Sequence, residues 1–275
     1  MSGKEIENGN LVHDGIRVLG SMGDKACPLG CIYCFVNAPG YQGPGKVDTP
    51  DGMQELAYNI EGGNIKIIQP VCDMELFLVK NWPEKLMQLT THGLSIDIST
   101  KLALEKNEIE HLKAVDQKLK EQGALLHVAV SLTRLHDWKE IEQFTPSSEQ
   151  RIVTAQKLSE AGIATSIALR PTLPFVSAGE FEELIQRTAP FVDSYLSGPL
   201  YLTPKMKQYM NTKHPDYQVE IFSPKWMKGK PKIEAVNTYN AVAVVKGIAA
   251  QYERPLFDST TQVVEYSILK RRPKP

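Results

Sequence analysis

IRVLGSMGDKACPLGCIYCF, residues 16–35, opens on a short apolar run and closes on three cysteines. Ile16 to Leu19 reads as a brief buried strand. A loop loaded with reactive side chains follows it. Parallel α/β sheets keep their chemistry in such loops, at the C-terminal ends of strands.

The strand-and-helix unit recurs down the chain. Asn64 to Ile68 is a second β-branched run, and Leu94 to Ile98 a third. Between them Trp82 to His92 has helical spacing, with Gly93 as its stop. Glu105 to Gln122 predicts a helix ending at Gly123, and Leu125 to Leu132 (LLHVAVSL) a strand. Pro146 to Glu149 opens the next helix, with Ser147 or Ser148 as N-cap. It runs through Ala161 to Gly162. Ile163 to Leu169 is then a strand closed by Arg170-Pro171, Ala178 to Thr188 a helix, and Val192 to Leu196 a sixth strand. Alternation of this kind implies right-handed crossovers and a parallel sheet. The expected class is α/β: a partial (β/α)6 TIM-type barrel, open rather than closed, over residues 1–200. Residues 201–275 read as a C-terminal extension that covers or lengthens the barrel. It has a stretch rich in Lys, Tyr and Pro to 232, one long helix from Ile233 to Tyr252, and a frayed KRRPKP tail.

The 275 residues suit one barrel-sized domain or two small ones. No apolar run approaches the ~18–20 residues that span a bilayer, and the polar N-terminus lacks a signal peptide's apolar core. A cytoplasmic location and no membrane partner follow as expectations. The net charge of −1 argues against a protein that coats nucleic acid. In a reducing compartment, four cysteines point to metal binding or catalysis rather than disulfides.

A structural zinc site uses two separated ligand pairs. Here Cys27, Cys31 and Cys34 share one loop, and His92, His111, His127, His136 and His214 are scattered. A redox CxxC explains Cys31 and Cys34 but not Cys27. Three thiolates in one loop suit a [4Fe-4S] cluster, with the fourth iron left for a small chelating molecule.

CxxxCxxC with an aromatic before the last cysteine, here Tyr33, resembles the signature of the radical S-adenosylmethionine enzymes. The resemblance implies that the open iron binds S-adenosylmethionine. An external one-electron reductant, such as flavodoxin or ferredoxin, drives its cleavage to a 5′-deoxyadenosyl radical that abstracts hydrogen. ISTK at 98–101, VSLT at 130–133, TPSSEQR at 145–151, KLSEAGI at 157–163 and RPTLPF at 170–175 are similar to the spore photoproduct lyase-like branch. That likeness implies that Tyr33 lies beside the adenine, chiefly through its backbone. Lys101 would meet the methionine carboxylate, Ser131 lie near the ribose, and Arg170 meet the carboxylate or the substrate. The plainer readings are a solvated lysine, a turn hydroxyl and a structural ion-pair partner. The Gly-Gly-Glu motif common after strand two is replaced by Gln69-Pro70-Val71-Cys72-Asp73, and Gly62-Gly63 reads as a turn.

Cys72 falls where spore photoproduct lyase carries its hydrogen-atom donor, so the resemblance implies that role. A buried apolar cysteine, or a substrate contact shared with Asp73, are its alternatives. The substrate implied is a thymine lesion in DNA. Residues 201–232 carry Lys205, Lys207, Lys213, Lys225, Lys228, Lys230 and Lys232 against Asp216 and Glu220, with Tyr201, Tyr209, Tyr217 and Trp226 interleaved. Such a mixture suits flipped or single-stranded nucleotides, although lysine-rich loops are usually solvated surface. Two other functions stay open. One is tailoring of a small metabolite, nucleotide or peptide, although no cysteines remain for auxiliary clusters. The other is a non-enzymatic iron–sulfur sensor.

Overall fold

The computed structural model describes residues 11–23, 27–39, 41–224 and 232–271. Its sheet begins with β1 (Val12–His13) and β2 (Arg17–Leu19), paired antiparallel. After the cysteine loop come α1 (Pro50–Gly62), β3 (Ile67–Gln69), α2 (Trp82–Leu89), β4 (Ser95–Thr100) and α3 (Lys106–Lys120). Then follow β5 (Leu126–Ser131), α4 (Ser148–Glu160), β6 (Ala164–Leu169), α5 (Ala178–Thr188) and β7 (Ser194–Ser197). Strands β2 to β7 lie side by side in chain order and parallel, as the six expected units.

Local chemistry sets the helix ends. Ser147 is the N-cap of α4, in a capping box with Gln150, and Ser177 caps α5 by accepting from the Glu180 amide. Gly123 and Gly162 follow α3 and α4 with φ of +75° and +79°, a conformation costly for a side chain. The helix α1 was not assigned from sequence. Thr49 caps it and Pro50 opens it, while Gly62 and Gly63 end it.

Beyond β7 the chain forms β8 (Leu200–Tyr201), α6 (Pro204–Lys213), β9 (Val219–Phe222), β10 (Ile233–Val236), α7 (Tyr239–Gln251), β11 (Leu256–Phe257) and α8 (Thr260–Arg271). The single helix expected over 233–252 is therefore corrected to a strand followed by a helix. Ile233 to Val236 has β8 on one side and β9 on the other, and ladder bonds to both outweigh the apolar helical spacing. Asn237 then breaks the chain, its carboxamide oxygen accepting from the Tyr239 amide.

The extension also lengthens the sheet. β11 pairs parallel with β7, and α8 crosses the concave face of the sheet. Along β5, Leu126, Val128 and Val130 join the main core, whereas Ala129 turns inward with Ala168 and Leu196 around Val263. Val264 and Ile268 meet Ile67, Leu125 and Ala164. Small inward residues on β5 and β6 leave room for the helix, and the two-residue alternation of a strand makes that pattern possible. Lys270 and Arg271 clamp the end of α8 to Asp193 at 2.7 and 2.8 Å. No helix among the described residues is long and apolar enough to cross a membrane.

Candidate active site at the cysteine loop

The three cysteines lie past the C-terminal end of β2. A neighbouring segment, residues 141–144, holds their loop in place. The Ile32 amide donates to the Ile141 carbonyl (2.9 Å), the Phe144 amide donates to the Leu29 carbonyl (3.2 Å), and Cys31 bridges Glu142. On the other side the Thr203 hydroxyl donates to the Ile32 carbonyl. Within the loop the Cys34 amide donates to the Cys31 carbonyl at 3.2 Å. Gly30 sits at φ +66°, and a Cβ there would stand 2.8 Å from the Phe144 ring.

All three thiols are free; Cys31 is buried and Cys27 and Cys34 half-buried. Burial pushes each thiol pKa up, that of Cys31 to about 12, while Lys101 pulls the other way in all three. Among the described residues no three His, Cys, Asp or Glu side chains converge on one point as a single metal ion requires. A multi-iron cluster makes a different demand, because each thiolate binds its own iron. A free, part-buried trio on a braced loop beside a cation fits that demand.

Beside the loop is a polar network around Glu142. The Lys101 ammonium donates to the Ser131 hydroxyl, stands 3.1 Å from a Glu142 oxygen and lies 5.4 Å from the centre of the Tyr33 ring. The Tyr33 hydroxyl and the Thr133 hydroxyl donate to that same Glu142 oxygen. Its other oxygen is 2.7 Å from Arg151, which also donates to the Ser131 carbonyl at 2.9 Å. Burial alone would raise the Glu142 pKa. Lys101 and Arg151 outweigh it and hold the carboxyl at about 2. Glu75 lacks such cations at contact; burial raises it to about 7, although it accepts the Lys101 amide at 3.0 Å.

The structure thus brings Tyr33, Lys101 and Ser131 together with the cysteine loop. It does not bring Arg170 into that network. The Arg170 guanidinium donates to the carbonyls of Ser197 (2.7 Å) and Asp258 and to the Thr260 hydroxyl (3.2 Å), fastening β6 to the start of α8. Burial, with Arg17 nearby, lowers its pKa to about 10. Glu142 and Arg151 were not anticipated. Glu142 lies in a loop outside any periodic pattern, and Arg151 reads as one more charge on a helix.

Cys72 follows β3, its amide donating to the Gly20 carbonyl at 3.2 Å. Its thiol, whose pKa burial and Asp73 raise, lies beside the Tyr41 hydroxyl, which also has Asp73 and Cys34 as neighbours. That hydroxyl reaches hydrogen-bond geometry with none of them. Ser21 holds Asp73 at 2.8 Å. The β8–β10–β9 sheet roofs this region, with Tyr201, Ile233 and Ala235 against Phe35, Ala38 and Tyr41. Of the lysine-rich stretch, Lys205, Lys207 and Lys213 lie on α6. Lys225, Lys228, Lys230 and Trp226 lie outside the described residues. A cavity of about 630 Å³ lies away from these groups, lined by Phe175, Met210, His214 and Tyr217 among others.

A partial α/β barrel with a three-cysteine loop and a buried Lys–Glu–Arg network at its mouth defines the class of site. Solved structures share the fold. A tyrosine-to-phenylalanine variant of spore photoproduct lyase superposes with a TM-score of 0.61 at 14% identity, over 88% of this chain and 81% of that one. A variant of the same enzyme with bound AdoMet and dinucleoside spore photoproduct gives 0.61 at 12% identity, over 87% and 74%. SuiB from Streptococcus suis, bound to S-adenosylmethionine, gives 0.57 at 16% identity, over 89% of this chain and 50% of that one. No protein-family profile and no curated protein matches the chain.

Proposed function

We propose that this protein is a radical S-adenosylmethionine enzyme of the spore photoproduct lyase-like kind. Cys27, Cys31 and Cys34 would hold a [4Fe-4S] cluster. When bound, the cluster would supply one electron to cleave S-adenosylmethionine to methionine and a 5′-deoxyadenosyl radical that takes hydrogen from a substrate. One observation carries the reading: Lys101, Ser131 and Tyr33 meet at the cysteine loop, although they come from three separate stretches of chain.

The chain's own residues have distinct tasks. Lys101 is the cation for the methionine carboxylate, aimed by Glu142 and Ser131. Tyr33 is fixed by Glu142, which leaves its backbone as the edge for the adenine. Cys72 would give its S–H hydrogen to the product radical and become a thiyl. Arg170 serves the barrel's integrity rather than the cofactor. Within the extension of residues 201–275, β8 to β10 roof the mouth and α8 fills the barrel, and flavodoxin or ferredoxin is the proposed electron source.

A nucleic-acid lesion is the substrate class that the lyase fold brings to mind. A smaller metabolite, nucleotide or peptide is the alternative. Binding of short oligonucleotides at two salt concentrations separates the two, because phosphate contacts give a steep salt slope. The central test is anaerobic reconstitution. With dithionite, the protein should release 5′-deoxyadenosine from S-adenosylmethionine, and Cys31→Ala should abolish both iron uptake and release. A protein that loads only zinc, or loads a cluster and releases nothing, refutes the reading.

A further inference from the structure

A buried redox centre must be reached from outside, and electron transfer weakens steeply with distance. The approach to the cysteine loop is therefore informative. Cys31, Ile32 and Tyr33 are buried, whereas Pro28 and Gly30 are exposed on the rim. Beside that rim Phe144 is 68% exposed, an unusual state for a phenyl ring. Next to it a groove of about 400 Å³ runs between residues 141–144 and α6, floored by Ile32 and walled by Gln143, Lys205, Gln208, Tyr209 and Lys213. Ile32 is one peptide bond from Cys31, so the groove reaches the residue next to a proposed cluster ligand.

The charge of the groove has one sign. No carboxylate lines it, and among the described residues neither Lys205 nor Lys213 pairs with one. Lys207, two residues on from Lys205 in the same helix, is tied to Glu234 instead. The carboxylate nearest Tyr209, that of Glu140, accepts from the Tyr209 hydroxyl at 2.7 Å and faces Arg134 at 3.7 Å. An exposed aromatic beside unpaired lysines is the composition of a small, transient interface whose partner is steered by opposite charge.

We propose that this groove, with Phe144 at its edge, is the docking surface for an acidic one-electron carrier protein of the flavodoxin or small ferredoxin class. The inference rests on the radical-enzyme reading and adds to it the place where the electron enters. The carrier delivers one electron to the oxidised cluster and is itself oxidised by one electron; no bond or proton is exchanged at the groove.

The probe is an acidic flavodoxin, used in two assays. In the first, isotope-labelled oxidised flavodoxin is titrated with cluster-free protein and its amide shifts are followed. Binding should weaken about tenfold in Lys205→Glu/Lys213→Glu, and again in Gln208→Glu. It should also weaken when salt rises from about 20 to about 300 mM. In the second, flavodoxin hydroquinone reduces the reconstituted cluster in a stopped-flow cell. The charge reversals should slow that step about tenfold and leave dithionite reduction unchanged, since dithionite needs no docking surface. Equal slowing with both reductants, or no change with flavodoxin, overturns the proposal. So does a short single-stranded oligonucleotide that binds in a Lys205- and Lys213-dependent way while flavodoxin does not. If dithionite yields no 5′-deoxyadenosine from the wild-type protein, the enzymatic reading has failed. The titration still judges the surface on its own.

Discussion

Replacing Glu142 by Gln keeps the size of the side chain and removes its charge. In the native protein this carboxyl has a pKa of about 2, against 4.5 for an ordinary glutamate. Each pH unit of that difference corresponds to ~1.36 kcal/mol, so the ion pairs and hydrogen bonds, net of the cost of burial, contribute roughly 3 kcal/mol near neutral pH. The cost of Glu142→Gln should match or exceed this, because Lys101 and Arg151 are left without their shared counter-charge; breaking a buried pair typically costs about 3–5 kcal/mol. Because the native pKa is depressed, the contribution is complete above about 4.5 and lost as pH falls toward about 2. The assay is urea denaturation of cluster-free protein at a series of pH values. With a slope of about 2–3 kcal/mol per molar urea, the midpoint at pH 7 should fall by about 1–2 M. The variant should also lose Glu142's share of the rise in stability expected of the wild type between about pH 2 and 4.5. A loss under about 1 kcal/mol, or an unaltered rise through that window, would show that the network does not hold the loop and Lys101 in place.

Glu75 should behave with the opposite sign. Its pKa is raised to about 7, so it weakens the fold as pH climbs from about 4.5 to 7, and Glu75→Gln should flatten that decline. Val264→Ala should cost about 2 kcal/mol in the same assay, because Val264 is fully buried between α8 and the barrel wall; a neutral result would mean that the helix does not fill the barrel. Arg170→Ala should cost about 2–4 kcal/mol by freeing buried carbonyls, and should open residues 256–271 to limited proteolysis; an unchanged cleavage pattern would refute the fastening role. Gly30→Ala should destabilise the loop by about 1–2 kcal/mol from its positive φ plus a clash with Phe144, and adding Phe144→Ala should remove the second part only.

Much of the barrel was legible because its signals are local. Each expected strand from β2 to β7 exists, with boundaries moved by a few residues. The Ser147 cap and the stops at Gly123 and Gly162 stand where read, since a cap depends on residues three or four apart. The cysteine spacing is likewise complete within eight residues. The region 233–252 was misread for the converse reason. Ile233 to Val236 is apolar at helical spacing, and only β8 and β9, distant in sequence, make it a strand.

The candidate site divides along the same line. Sequence alone determined the three thiols in one loop, a strand before them and a rhythm of units that puts Lys101 and Ser131 at strand ends. Tertiary structure alone decided that Glu142 binds Tyr33, Lys101 and Arg151 together, that Arg170 is spent on the start of α8, and that the C-terminal helix fills the barrel. The physical reason is range. Turns, caps and periodicity are settled by neighbours along the chain, whereas the worth of a buried charge or an inward-facing alanine depends on which distant group arrives to meet it.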